Sequence, residues 1–166
     1  MTRYPYFASS HCLDGSAAPT PIEYSVKRIV RFDEVDSLEI VWHGHYASYF
    51  EDARVALGEH LGIGYSTLYR EQVPAPIKQF FVNYHRPLAF AERCRIVARL
   101  HWSEAARMNM SYKIINTQGE TVATGFSVQM FTLKSGEYLT QQPDFYAAFC
   151  QRWKQGQIPP MLSAGK

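Results

Sequence analysis

The chain has 166 residues, the length of one domain. Its 17 Lys and Arg residues against 15 Asp and Glu residues give a formal net charge of +2, which argues against a dedicated nucleic-acid-binding protein. With 46% hydrophobic and 19% charged residues the chain can bury a core, so a disordered protein is excluded. No apolar run approaches the roughly 20 residues that a membrane helix needs. The composition predicts a folded protein that neither binds nucleic acid nor spans a membrane.

The cysteines and the first residues bear on the cellular compartment. The N-terminal segment has no apolar stretch of the kind that signal peptides contain. The cysteines are few and widely spaced, which favours neither a disulfide framework nor a cysteine zinc site; they are Cys12, Cys94 and Cys150. We therefore expect a cytoplasmic protein.

The two ends of the chain differ in composition from the middle. Residues 1–21 are rich in Ser, Ala, Pro and Gly and show no periodicity, so we interpret them as a flexible arm. Residues 157–166 contain two prolines and a glycine and are interpreted as a flexible tail. The remaining residues, 22–156, are expected to form a single domain.

The first predicted elements are a strand and a long helix. Tyr24 to Phe32 mixes β-branched, aromatic and basic residues, as strands do. Asp33 and Glu34 follow and are interpreted as solvated loop charges. From His45 to Leu61, apolar residues recur at steps of three and four, which predicts an amphipathic helix with Arg54 off its apolar stripe. The stripe consists of Tyr46, Tyr49, Phe50, Ala53, Leu57 and Leu61.

The second half of the chain has the pattern of strands. A short helical turn is predicted over Ser66–Gln72, and a hairpin turn with Gly119 joins the last two strands. The last strand has one mostly apolar face that includes Val122, Phe126 and Val128. The predicted strands are Ile77–His85, Arg93–Trp102, Arg107–Asn116 and Thr121–Leu133, and a C-terminal helix covers Pro143–Lys154.

This order of elements fixes the fold class. A lone amphipathic helix among antiparallel strands must bury its apolar stripe against the sheet. We therefore predict an α+β domain in which the sheet wraps over one central helix.

In one of the strands Arg93, Arg95 and Arg99 alternate, with Arg107 nearby. They are suited either to phosphate groups or to a solvated strand face, and the solvated face is the simpler interpretation.

The segment before the long helix carries the most chemistry. Asp36 stands a few residues before a helix N-terminus, where backbone N–H groups lack partners and the helix dipole is positive. Such an end can hold a carboxylate ionised and polarise a carbonyl oxygen, and Gly44 would let a substrate approach the backbone. These groups suffice for acyl transfer without Ser, Cys or metal. The alternative is that Asp36 caps the helix or is a solvated charge.

The neighbouring histidines and aromatic residues have two interpretations each. His43 and His45 form an H-x-H pair, but no third metal ligand stands at a suitable spacing, so hydrogen-bonding roles are favoured over a metal site. Trp42 and Tyr46 can line an apolar pocket or belong to the core.

The segment from Phe32 to Arg54 resembles the signature of the 4-hydroxybenzoyl-CoA thioesterase family of hot-dog-fold proteins. That signature has an Asp, a loop with a branched pair, an Asn or His before Tyr, and a long helix with E-x-A-R. The matching positions are Asp36, Ile40-Val41, His45-Tyr46 and Glu51-Asp-Ala-Arg54. The resemblance extends from about Tyr24 to Phe131 and includes Tyr84-His-Arg-Pro87 and the hairpin Asn116–Ala123.

The resemblance implies a hot-dog fold and hydrolysis of an acyl thioester of coenzyme A or of an acyl carrier protein. In family members the Asp that matches Asp36 acts as nucleophile or as general base toward water. A backbone N–H at the position of His43 holds the thioester carbonyl, and the His43 ring is a second candidate catalytic group. The residues expected to line the substrate site are Trp42, Gly44, His45 and Tyr46; His45 stands where relatives commonly have Asn.

The resemblance also implies which partners to expect. No metal and no bound cofactor is involved, apart from coenzyme A as part of the substrate. The sites of family members form between two subunits, so a homodimer or homotetramer is expected.

Two other functions are compatible with the same fold. Hydratases and dehydratases on acyl thioesters resemble D-x-N-P-x-H, whereas Asp36 and His43 are seven residues apart here without Asn-Pro, which disfavours this class. A non-catalytic acyl-thioester-binding protein in a biosynthetic assembly would have a degraded Asp position, and Asp36 is intact.

Overall fold

Five antiparallel strands and one long helix make up most of the computed structural model, which describes residues 11–161. The strands are β1 (Ile22–Ile29), β2 (Ile77–Tyr84), β3 (Arg93–His101), β4 (Arg107–Asn116) and β5 (Thr121–Met130). The helices are α1 (Tyr46–Leu61), α2 (Tyr65–Arg70) and α3 (Asp144–Lys154), and two short 3₁₀ turns cover Phe32–Glu34 and His43–His45. Every predicted element is confirmed, with ends shifted by at most a few residues.

The strands form one sheet in the order β1-β3-β4-β5-β2. Strands β3, β4 and β5 follow one another as hairpins, while β1 and β2 join at the two edges. Gly119 has a φ of 81° in the turn between β4 and β5, a conformation that glycine adopts without strain. Helix α1 lies against the sheet through its apolar stripe, as predicted, and Gly62 ends it with a φ of 72°.

The sheet makes room for α1 by carrying small residues beneath it. A Cβ atom at Gly125 would lie 2.4 Å from Cε2 of Phe50 and 2.5 Å from the backbone oxygen of Phe81, so only glycine fits this contact. Phe50 in turn stacks on Tyr112 of β4, with 4.7 Å between ring centroids. The close approach of α1 to β4 and β5 depends on this glycine.

The two faces of β5 are used differently from what the sequence pattern suggests. Since side chains alternate along a strand and Gly125 faces α1, Ala123 and Ser127 face it as well. Thr124, Phe126 and Val128 lie on the other side of the sheet, where Phe126 stacks on Phe81. Val122 stands at a shift of register between β4 and β5 and is fully buried in the core. The predicted alternation is confirmed from Ala123 onward but not at Val122, and the face packed against the helix is the one with small and polar residues.

The described parts of the two predicted terminal segments contact the domain. Cys12 is buried, and Trp153 of α3 donates a hydrogen bond from Nε1 to the backbone oxygen of Thr20 at 3.0 Å. At the other end, the backbone oxygen of Pro160 accepts a hydrogen bond from the N–H of Glu23. Residues 1–10 of the predicted arm and 162–166 of the predicted tail lie outside the described residues. Across residues 11–161, none of the helices combines the length and the apolar character needed to cross a bilayer.

Candidate active site

Asp36 begins a tight turn in the loop between β1 and α1. Val35 pairs with Val41 as an isolated antiparallel bridge, and the N–H of Asp36 donates to the backbone oxygen of Ile40 at 3.0 Å. At the tip, the N–H of Leu38 donates to Oδ1 of Asp36 at 2.8 Å. Among the described residues, no hydrogen bond reaches the other carboxylate oxygen, Oδ2. The turn therefore fixes the half-buried carboxylate and leaves one oxygen available.

Asp36 is one of the residues that line a cavity of about 470 Å³, together with Glu39. Two aromatic rings, those of Phe32 and Phe90, contact each other edge to face at 5.8 Å and form part of its wall. Both rings are exposed, at 78% and 56%, so they are available to cover a bound ligand. A carboxylate beside exposed aromatic rings suits a ligand with an apolar part and a reactive carbonyl.

Asp36 is farther from α1 along the chain than the sequence interpretation supposes. It precedes Tyr46, the first residue of α1, by ten positions, but the turn folds the chain back on itself. The N–H of Trp42 donates to the backbone oxygen of Glu34 at 2.9 Å, which ties the start of the loop to the residue before His43. Asp36 and His43 thus belong to one hydrogen-bonded unit, although no hydrogen bond joins their side chains within the described part of the chain.

The 3₁₀ turn His43–His45 leads directly into α1. The N–H of His45 donates to the backbone oxygen of Trp42, whereas the N–H of His43 donates to no acceptor within residues 11–161. The backbone oxygen of His43 accepts a hydrogen bond of 2.9 Å from the hydroxyl of Tyr84 on β2. The exposed His43 therefore presents a free N–H on a turn that β2 holds in place.

Trp42 packs over this turn. Its indole lies 4.9 Å from the ring of His43 and 5.6 Å from the ring of His45, measured between centroids. A Cβ at Gly44 would be 2.0 Å from the indole, so the glycine is required for this packing. In this structure the space above Gly44 is occupied by Trp42, whose ring is itself half exposed.

Tyr46 lies behind the turn and is buried. Its ring meets Tyr84 edge to face at 5.0 Å and stacks on Tyr49 at 5.9 Å. Burial, together with the nearby Tyr84, raises the pKa of Tyr46 to about 12, so its hydroxyl stays neutral at physiological pH. Tyr46 supports the wall of the site from inside the core.

The interpretation of Glu34 as a solvated loop charge is wrong. Glu34 is only 3% exposed and forms an ion pair with Arg28 of β1. Its Oε2 accepts hydrogen bonds of 2.8 Å from the hydroxyl of Tyr49 and from the N–H of Arg31. Arg28 also pairs with Asp52 and lies 4.1 Å above the ring of Tyr49. We call Arg28, Glu34, Tyr49 and Asp52 the ionic cluster.

The ionic cluster keeps Glu34 charged despite its burial. Burial alone would raise the pKa of this carboxyl, but hydrogen bonds from Arg31, Arg28 and Tyr49 hold it below its ordinary value. Burial and the Glu34 carboxylate raise the pKa of Tyr49 far above its ordinary value. The sequence gives little signal for this cluster, because its members come from a strand, a loop and a helix. Asp33, one residue earlier, is solvated as predicted.

A second polar group lies farther along α1. Arg54, which the helix pattern places off the apolar stripe, is nevertheless only 5% exposed. Its Nη2 donates to Glu51 at 3.0 Å and to the hydroxyl of Tyr65 at 2.9 Å. These side chains line a cavity of about 890 Å³ that also borders α2 and Ile77 at the start of β2.

The histidine pair does not gather a metal-ligand set. In the described part of the chain, no group of three or more His, Cys, Asp or Glu side chains is placed to hold a metal ion. The two rings instead contact Trp42, and His43 also faces Tyr84 edge to face at 6.5 Å.

Comparison with known proteins places this geometry in a family. A family model described as "Thioesterase-like superfamily" matches residues 30–163, which include the whole site. The chain belongs to the thioesterase-like superfamily. Membership confirms the expectation of a thioester hydrolase and supports acyl-CoA thioesterase activity at the level of the family. The match is to this broad superfamily, so the narrower 4-hydroxybenzoyl-CoA group stays a prediction.

Individual thioesterases agree with this assignment. The Bacillus subtilis (strain 168) protein named "Putative acyl-CoA thioesterase YneP" is 26% identical over 124 residues, which are 72% of this chain and 90% of that protein. The DHNA-CoA thioesterase from Staphylococcus aureus is similar in structure, with a TM-score of 0.73 and 22% identity over 86% of this chain and 99% of that chain.

A third protein extends the structural likeness. SAV2348 from Staphylococcus aureus, solved in complex with CoA, has a TM-score of 0.73 and 10% identity over 91% of this chain and 93% of that chain. At these identities the structures confirm the predicted hot-dog fold, an antiparallel sheet around one long helix.

Proposed function

We propose that this thioesterase-like protein hydrolyses an acyl-CoA thioester to a free acid and a thiol, with Asp36 as the group that attacks or activates water. The observation that carries the proposal is the geometry of Asp36. One oxygen is fixed by the N–H of Leu38, and the other is free beside a cavity of about 470 Å³. A positioned carboxylate with a free oxygen is suited to nucleophilic or general-base catalysis.

Two balanced routes use the same carboxylate. As nucleophile, Asp36 attacks the thioester carbonyl, the C–S bond breaks, the thiolate leaves and takes a proton, and water hydrolyses the acyl anhydride. As general base, Asp36 accepts a proton from water as the water oxygen attacks the carbonyl carbon; the C–S bond then breaks, and the leaving thiolate takes up that proton, which gives the free acid and the thiol. In both routes the carbonyl oxygen becomes negative, and the unpaired N–H of His43 is the proposed donor to it. The reaction as proposed needs no metal or cofactor beyond the coenzyme A of the substrate.

The remaining predicted site residues have supporting roles in this proposal. Trp42, held over Gly44, and the half-buried His45 present the surface that a substrate meets next to the turn. The imidazole of His43 is exposed beside the proposed carbonyl position, where it can orient water or contact the acyl group. Tyr46 acts from within the core by packing against Tyr84.

The open edge of the sheet supports a dimer. Strand β2 is an edge strand, and large apolar side chains are exposed along it: Ile77, Phe80, Phe81 and Tyr84, at 38–51%. Such an edge is a template for pairing with another chain. We propose that two copies pair antiparallel here. The Tyr84 end of one strand, beside His43, would then meet the Ile77 end of the other, beside the cavity of Arg54.

Hydrolysis by Asp36 is tested by thiol release from short, long, aromatic and polyunsaturated acyl-CoAs. We expect Asp36→Asn to lower kcat at least about a hundredfold, because asparagine keeps the shape but can neither attack nor accept a proton. Asp33→Asn, a solvated acid in the same loop, is the matched control and should retain full activity.

Sedimentation and thermal melting of each protein complete this experiment. The variant should keep the melting temperature of the parent and a mass of twice the chain's 19.1 kDa. Full activity of Asp36→Asn would disprove the mechanism. If the parent hydrolysed none of the acyl-CoAs, the same test would be made with acyl carrier protein thioesters. If it hydrolysed none of those either, a non-catalytic binding protein would be favoured.

A cytoplasmic location, in which coenzyme A is available, is part of the proposal.

A further inference from the structure

The face of the sheet that points away from α1 carries a concentration of positive charge. Five exposed cations lie on it, from three neighbouring strands: Lys27, Arg93, Arg95, Arg99 and Lys113. Arg99 pairs with Glu23. The other four have no ion-pair partner among residues 11–161. In a chain whose net charge is only +2, this face is a distinct cationic surface.

The register of β1 and β3 brings two of these cations together. Lys27 and Arg95 are directly opposite each other in the antiparallel ladder. Like charges in this position repel and destabilise the strand pair. A bound anion would turn this unfavourable contact into an attractive one for both side chains. Arg93, two residues from Arg95, adds a third charge on the same face.

A cavity of about 580 Å³ lies at the end of this surface where β1 ends and β3 begins, and we call it the cationic cavity. Besides Lys27, Arg93 and Arg95, its walls include uncharged side chains. Ile29 and Ile115 are apolar, while the amide of Asn116 is already hydrogen-bonded to Gln118 and Glu120 in the turn after β4. Cations next to apolar walls suit a phosphorylated ligand that also carries a flat aromatic group, such as a nucleotide.

Two of the three strands that form the cationic cavity, β1 and β3, lead from it toward the cavity of Asp36. Ile29, the last residue of β1, pairs with Arg93, the first residue of β3. Beyond them the N–H of Val30 still donates to the backbone oxygen of Glu92, and the next side chains in contact are Phe32 and Phe90. Those two rings line the cavity of Asp36. A long ligand with an anionic head can therefore lie across this end of the sheet and place its other end near Asp36.

We propose that the cationic cavity binds the 3′-phosphorylated ADP end of coenzyme A while the thioester end lies at Asp36. This inference rests on the proposed function. A second copy of the chain is a poor occupant, because two cationic faces would repel each other. The first ten residues contain no Asp or Glu, so they offer no carboxylate side chain to this surface. The surface complements a ligand with several phosphate charges.

The direct test measures binding of adenosine 3′,5′-bisphosphate, which is this end of coenzyme A without the thioester. Isothermal titration would compare the parent with the double variant Lys27→Gln/Arg95→Gln. The control is Arg152→Gln on α3, which also removes an exposed positive charge. We expect at least tenfold weaker binding for the double variant and no change for the control. Removal of the repulsion between Lys27 and Arg95 should leave the melting temperature unchanged or raise it.

The kinetic arm separates this inference from the proposed function. With an acyl-CoA the double variant should raise KM about tenfold at constant kcat, and with the same acyl group on pantetheine it should match the parent. If no acyl-CoA is hydrolysed, the bisphosphate titration still decides. Equal binding by parent and double variant, or no binding by the parent at millimolar bisphosphate, would overturn the proposal. It would also be overturned if the double variant lost only activity toward acyl carrier protein thioesters, which would identify an acidic protein as the occupant.

Discussion

The ionic cluster and the Asp36 turn are neighbours in the chain, but their carboxylates differ in how many of their oxygens have partners. In the cluster, both carboxylate oxygens of Glu34 have partners: one forms an ion pair with Arg28, and the other accepts hydrogen bonds from Tyr49 and from a backbone N–H. In the turn, Asp36 uses one oxygen on a backbone N–H and keeps the other free. The cluster fixes the start of the loop between β1 and α1, and the turn leaves one oxygen of Asp36 without a hydrogen bond from the described residues, in a residue that lines a cavity. The carboxylate of Glu34 therefore stabilises the loop, whereas that of Asp36 keeps one oxygen free to contact another molecule.

The largest effect on stability is expected from removing the cation of the cluster. Arg28→Met leaves the charge of Glu34 buried without its ion-pair partner, which should lower the free energy of unfolding by about 3 kcal/mol. Arg31→Met is the control, because Arg31 and Asp33 form an exposed pair and should contribute less than about 1 kcal/mol. Urea unfolding of both variants measures the difference. Equal losses would contradict the distinction between a buried cluster and a solvated loop.

A smaller effect is expected from one hydroxyl of the cluster. Tyr49→Phe removes the hydrogen bond to Glu34 and should cost about 1.5 kcal/mol, since the acceptor is a buried carboxylate. The expected consequence for activity is a lower kcat at nearly constant KM, because the loop that carries Asp36 is then less firmly held. Tyr69→Phe serves as the control at a tyrosine that is 89% exposed. A loss of stability with kcat intact would show that the cluster supports the fold without positioning Asp36.

The smallest effect is a dependence of stability on pH. Because the folded-state pKa of Glu34 lies below its ordinary value of 4.5, the cluster contributes fully above that pH and loses its contribution as the pH falls through the folded-state pKa. The difference in unfolding free energy between the parent and Glu34→Gln should be constant from pH 7 to about 5 and shrink at lower pH. Urea titrations at intervals between pH 7 and 3 test this, and a difference that grew toward acid would contradict the assigned direction.

The fold was predictable from the sequence because its elements depend on local patterns. The stripe on α1 and the alternation of the strands reflect periods that any segment of a few turns displays. Gly62 ends helix α1 and Gly119 lies in the turn between β4 and β5. Both have a positive φ, which glycine adopts without strain. The face of β5 that meets α1 was less accessible to such reasoning. Its small residues make sense only once Phe50 is known to lie against Gly125.

The candidate site was predictable only in part. Asp36 was singled out by its place before a helix and by the family signature around it, and its role stays a prediction. Glu34 was misread because its partners, Arg28 and Tyr49, are distant in sequence and no periodicity joins them. The burial of Arg54 also depends on a contact outside its helix, with Tyr65. Long-range pairing between charged groups leaves no regular trace in a sequence, so these residues needed the structure.

The order of the strands has a consequence for how the chain folds. The neighbours β3, β4 and β5 form from local hairpins, but β2 pairs with β5 across about forty to fifty residues. Closing such a loop costs conformational entropy before any contact compensates for it, which slows folding. On the ribosome, β2 emerges well before the strand that covers its inner edge. Its apolar side chains, the same ones proposed to meet a second copy, are thus unprotected in the nascent chain until β5 has been synthesised.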